Sequence, residues 1–142
     1  MSLAALTCLA LLAAPLPEPT SPEAAASAFV EAFKAMDKAR FDAFFASDVT
    51  MFFPEGPFPK ARVDGRAAVL SAFHSFFERV KERGRSTLNI APLDQRIEQF
   101  GDVAVVTFRL DGGDAVGRRS VILRKIENEW RIVHFHASTI DK

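Results

Sequence analysis

The chain has 142 residues, 49% hydrophobic and 25% charged, with 18 basic residues balanced by 18 acidic ones. That balance suits one soluble globular domain and excludes a partner held by neutralising many phosphates, so no nucleic acid is expected. Fourteen Phe accompany one Trp and no Tyr, which removes every mechanism that needs a phenolic hydroxyl as proton donor or oxyanion partner.

Met1 to Ala14 reads MSLAALTCLALLAA, an almost wholly apolar run shorter than the roughly 20 residues that span a bilayer. It ends on small residues and runs into prolines, the pattern of a cleaved secretory signal over residues 1–14, although no Lys or Arg precedes it. The expected location is periplasmic or secreted, with no membrane attachment after cleavage. Cys8 is the only cysteine, so the mature chain would hold no disulfide, thiol nucleophile or thiolate metal site. Pro15, Pro17, Pro19 and Pro22 mark residues 15–22 as an extended linker, leaving 23–142 as the domain.

Ser21 is placed to cap a helix with Pro22 in its first turn, and Ala25, Phe29, Ala32, Phe33 and Met36 follow at helical spacing. Asp37 caps a second, short helix carrying Phe41, Phe44 and Phe45. Val49 to Phe53 reads as a brief strand, and Pro54, Gly56, Pro57 and Pro59 make a stiff loop towards Asp64-Gly65. A third helix starts at Arg66, turns Val69, Leu70, Phe73, Phe76, Phe77 and Val80 to one side, and stops at Gly84.

Beyond Gly84 the period becomes strand-like over Thr87 to Ile90, Arg96 to Phe100, Val103 to Leu110, Val116 to Ile126 and Trp130 to Thr139. Pro92 predicts a bulge or corner early in the sheet. Short connections require antiparallel neighbours, and helices followed by strands make an α+β domain. Strict alternation puts Trp130, Ile132, His134, His136 and Ser138 on one face, and a hairpin at Glu127 to Glu129 pairs Lys125 with Trp130, Leu123 with Ile132, Val121 with His134 and Arg119 with His136. Both faces are apolar in the middle. Helices are expected on the concave face and a second copy of the chain, making a homodimer, on the convex one.

Trp130-Arg131-Ile132-Val133-His134-Phe135-His136-Ala137-Ser138, preceded by Gly117-Arg118-Arg119-Ser120-Val121, resembles the C-terminal motif of the SnoaL-like branch of the nuclear-transport-factor-like superfamily. It is related to the calcium/calmodulin-dependent kinase association domain. The resemblance covers about Ser21 to Ser138. It implies a cone-shaped roll: three N-terminal helices packed on a curved, mostly antiparallel sheet, with a pocket at the open end. Activity is not implied, because enzymes and catalytically silent assembly domains share this fold. The chain departs from the enzymes. Ketosteroid isomerase needs a tyrosine that is absent here. The association domain's pocket arginine follows its second histidine, where this chain has Ala137.

His134 and His136 are the candidate catalytic residues, since imidazole titrates near neutral pH; the alternative is a structural role in the core or an interface. A His-x-His metal site lacks further ligands, His74 being the only other histidine, so no metal and no cofactor is expected. Arg118, Arg119 and Arg124 are candidates for an anionic ligand. Phe52, Phe53 and Phe58 are candidates for a pocket mouth. The leading reading is an exported domain that binds a small apolar or weakly anionic molecule through Phe53, Phe58, Arg119, His134, Phe135 and His136. The alternatives are an acid–base isomerase, cyclase or dehydratase using His134 or His136, and a structural homodimerisation module with a vestigial pocket.

Overall fold

The computed structural model describes residues 19–142; the expected signal, Cys8 and the linker up to residue 18 lie outside them. Helix α1 (Pro22–Ala35) begins where the Ser21 hydroxyl accepts the Ala24 N–H at 3.1 Å, with Pro22 in the first turn. It ends at Met36, whose left-handed backbone (φ 51°) lets its N–H reach back to Ala32 and Phe33. Asp37 accepts the Arg40 N–H at 3.2 Å and starts α2 (Lys38–Ala43). Helix α3 (Arg66–Glu82) closes where Gly84, at φ 77°, donates to the Lys81 carbonyl.

The strands are β1 (Phe45–Phe52), β2 (Val63–Asp64), β3 (Leu93–Phe100), β4 (Val103–Asp111), β5 (Ala115–Ile126) and β6 (Glu129–Asp141). They form one six-stranded sheet in the order β2-β1-β6-β5-β4-β3, antiparallel everywhere except between β1 and β6. The sheet is curved and open, with the helices packed against it, so the expected α+β architecture holds.

Three local expectations fail. Thr87 to Ile90 is not a strand: the Leu88 N–H is taken by the Lys34 carbonyl at the end of α1, at 2.8 Å, and its side chain is buried. Phe45 belongs to β1 and not to the second helix, because the Phe44 carbonyl accepts the Ile132 N–H at 2.6 Å and draws the chain into the sheet. The stiff loop also ends in a short strand, β2, paired with Thr50 and Met51. Pro92 does precede an irregularity, a register shift between Leu93 and Arg96 with Asp94 at φ 50°.

The hairpin register needs the largest correction. Glu127 and Asn128 both take positive φ in a two-residue turn, and Lys125 pairs with Trp130 and Leu123 with Ile132 as expected. The ladder then jumps, with Ile122 opposite His134 and Val133 left unpaired. This β-bulge reverses the side-chain parity of the rest of the strand. Val121 therefore faces Phe135, Ser120 faces His136 and Arg119 faces Ala137. Trp130, Ile132, Phe135 and Ala137 are all buried in the core, whereas His136 is exposed. Keeping strict alternation would bury two imidazoles and expose the Phe135 ring. A bulge costs one ladder position and avoids both losses.

Phe41 lies at the centre of the core, fully buried, with Phe29, Phe33, Phe45, Phe73 and Phe77 at ring-centre distances of 4.9 to 5.4 Å. This ring holds α2 between the other helices and the sheet. Phe41→Ala is expected to destabilise the fold by about 3–5 kcal/mol, the usual cost of emptying a packed Phe site. Urea denaturation followed by circular dichroism measures it, and a loss below ~1 kcal/mol would contradict this packing.

Candidate functional site

The concave face and the helices do not close completely on each other. Between the proline loop, α1, α3 and the last strands lies a cavity of about 260 Å³, walled mainly by Phe33, Phe53, Phe58, Phe73, Phe76 and Phe135. The loop is held in place by packing. Phe53 stacks on Phe58 at 4.9 Å and meets Phe73 at 5.2 Å, Phe58 meets Phe76 at 5.3 Å, and Arg79 donates to the Pro57 carbonyl at 3.1 Å. Aromatic contacts of this kind add to burial and favour defined ring orientations.

Two charged side chains line this apolar chamber: Glu55 from the proline loop and Arg119 from β5. Arg119 points inward because its β5 neighbour on the same face, Val121, is buried and its partner across the ladder is the buried Ala137. Its Nη1 donates to the carbonyls of Arg118 and Ser138, each at 2.9 Å. A guanidinium has five N–H donors, and among the described residues those on Nε and Nη2 have no acceptor; nor does any carboxylate lie within 4.0 Å. Burial pulls the Arg119 pKa down from its ordinary value, yet a guanidinium stays charged at neutral pH.

Gly117 makes this placement possible. A Cβ there would stand 3.0 Å from Nη1, 3.1 Å from Nη2 and 3.2 Å from Cζ of Arg119, so the guanidinium lies across the bare glycine backbone. The small side chain of Ala137 leaves the opposite side open. A guanidinium thus stands on the neighbouring strand, directly across from Ala137.

Of the sequence candidates, Phe53, Phe58, Arg119 and Phe135 meet in this chamber. His134 and His136 do not, because the bulge turns them to the convex face. There the His134 Nδ1 is 2.8 Å from the Thr50 hydroxyl, and Phe52 packs against both rings, 6.3 Å from His134 and 5.7 Å from His136. Phe52 therefore lies outside the chamber mouth. Arg124 leans on Asp48 at 3.3 Å and Arg118 on the Ser138 hydroxyl at 3.3 Å, both on that same outer face. His74 bonds Asp42 at 2.7 Å, tying α3 to α2. Among the described residues no three His, Cys, Asp or Glu side chains gather as a metal site. Glu55, Phe33, Phe73, Phe76 and Thr139 also line the chamber and were not read from sequence as site residues. The helical spacing of the phenylalanines gave the only hint of three of them.

A family model described as a SnoaL-like domain matches residues 23–142. Among solved structures, the chain is similar to a candidate calcium/calmodulin-dependent protein kinase type II association domain from Thiobacillus denitrificans, with 28% identity, TM-score 0.67, and coverage of 89% of this chain and 100% of that one. It is also similar to a candidate dehydratase of the nuclear-transport-factor-2-like family from Streptomyces avermitilis (20% identity, TM-score 0.67, 83% and 92% covered). A candidate ketosteroid isomerase from Parabacteroides distasonis has 21% identity and TM-score 0.64, with 84% and 87% covered. No curated protein matches the chain.

Desolvation first, then the charges of His136 and Arg62, hold the His134 pKa below its ordinary value. The unfolded chain then binds the proton more readily than the folded one. His134's contribution is therefore complete above the unfolded value of about 6.5 and is lost as pH falls towards the folded pKa. An NMR titration is expected to place His134 below the usual histidine range, and Tm is expected to fall less on acidification in His134→Gln. A ring titrating at or above the usual value would contradict the geometry.

Proposed function

We propose that the chain, which belongs to the SnoaL-like domain family, binds a small molecule with an apolar body and an anionic group. The body sits among Phe53, Phe58, Phe73, Phe76 and Phe135, and the anion meets Arg119. One observation carries this reading: a half-buried guanidinium, without a carboxylate partner among the described residues, faces a phenylalanine-lined cavity. A charge held in such surroundings is costly until an opposite charge arrives, and an arriving carboxylate gains a charge-assisted, two-pronged contact. The rings supply the apolar burial that orients the rest of the ligand.

An acid–base reaction in the same chamber would have to use Glu55, the one carboxylate of its wall, and not His134 or His136. Nothing in the wall pairs that carboxylate with a second proton carrier, which favours binding over turnover.

A second copy is the proposed partner of the convex face. Phe52, Phe100 and Ile140 are exposed there at 38%, 66% and 43%, and Val105, Ile122 and Val133 are only partly covered. Apolar surface on a sheet with helices on its other side only is a common basis for symmetric pairing.

Two measurements test these readings. In calorimetry, 2-naphthoate is expected to bind and the neutral 2-naphthamide to bind at least about tenfold more weakly; Arg119→Gln should remove that difference while circular dichroism still reports a folded chain, since a charge-assisted hydrogen bond contributes about 1.5–3 kcal/mol. Equal affinity for acid and amide would defeat the anion site. Light scattering is expected to give twice the 15.6 kDa chain mass, and Phe100→Lys should return it to the monomer; a monomeric wild type removes the dimer.

A further inference from the structure

Arg119 is shared between two cavities. On its far side lies a second space of about 520 Å³, bounded by Arg85, Asn89 and Ile90 of the connection after α3 and by Leu110 to Gly113 at the tip of the β4–β5 hairpin. Phe33 and Phe76 line both cavities, so the guanidinium and these two rings stand at their junction. The inner chamber is aromatic, whereas the outer one brings a second guanidinium, Arg85, into its wall.

Charge in the outer cavity is unbalanced. Its one carboxylate, Asp111, is already engaged by the Lys142 ammonium at 2.8 Å and by the Gly113 N–H at 3.0 Å. Those contacts, Lys142 first, hold its pKa below the ordinary value. Arg85 and Arg119 make no salt bridge within 4.0 Å among the described residues. Two arginines therefore border one space whose single carboxylate is already paired with a lysine.

We infer that the ligand carries a doubly charged head, as a phosphomonoester or a dicarboxylate does, bound by Arg119 at the junction and by Arg85 across the outer cavity, with its apolar body in the inner chamber. The inference rests on the binding reading above and adds to it the class of head group and a second residue. A monocarboxylate satisfies Arg119 and leaves Arg85 to solvent. A phosphomonoester carries about −1.5 to −2 at pH 7 and three acceptor oxygens, enough for both.

The test compares 2-naphthyl phosphate with 2-naphthoate by calorimetry on the whole chain at fixed ionic strength, because exposed charges are screened by salt. The phosphate is expected to bind at least about tenfold tighter, a difference of about 1.4 kcal/mol. Arg85→Gln should bring the phosphate to within about threefold of the carboxylate while leaving carboxylate affinity and Tm unchanged. Arg119→Gln should weaken both ligands. If carboxylate binding depends on Arg119 but the phosphate is no tighter, or if Arg85→Gln keeps the preference, the two-arginine head site is wrong and the simpler binding reading survives. If neither compound binds, both fall.

Discussion

A single extra residue in the last strand governs what this protein presents on each face of its sheet. Val133 drops out of the ladder, and from that point the side chains of β6 exchange faces. Phe135 enters the core, where it meets Phe29 at 5.9 Å and Phe73 at 6.4 Å, while His134 and His136 turn outward. The parallel pairing with β1 is irregular at the same level, Phe45 lying opposite Ile132 and Thr50 opposite His134. Both neighbours of β6 thus accommodate the bulge, and the energy that favours it is the burial of an aromatic ring in place of two imidazoles.

The site inherits its chemistry from that parity. Because Ala137 and not His136 faces inward opposite Arg119, the guanidinium has room, and because Gly117 has no side chain, it has a surface to lie on. Two carbonyls hold one end of it. The result is a cation fixed by main-chain carbonyls in a wall of rings. A loop with three prolines, pinned by Phe58 and the Arg79 contact, forms one wall of the cavity.

The helices serve this arrangement from the other side. Their shared aromatic cluster, centred on Phe41, sets the distance between α3 and the sheet. Phe33 and Phe76 extend from that cluster to the point where the inner and outer cavities meet. Packing that stabilises the fold and surfaces that would contact a ligand are therefore one continuous set of rings. Arg119 is tied to the sheet by two main-chain carbonyls, whereas Arg85 is exposed and lies outside that cluster.

Much of the architecture was legible in the order of residues. Ser21 with Pro22, Asp37 and Gly84 mark helix ends because capping acts within a few residues, and helical spacing named Phe29, Phe41, Phe73 and Phe77 as core. The hairpin turn set the pairing of Lys125 with Trp130 and Leu123 with Ile132. Phe53, Phe58, Arg119 and Phe135 could be singled out by residue type. What sequence could not decide was parity beyond Val133, since a bulge is chosen by competition between side chains for one core, a contest involving β1, α1 and α3 together. Nor could it show that Leu88 bonds to α1 and not to a strand, or that Arg85 and Arg119, far apart in the chain, border the same space. Local signals determine where elements begin and end; which side chains share an enclosed volume is settled only when distant elements pack.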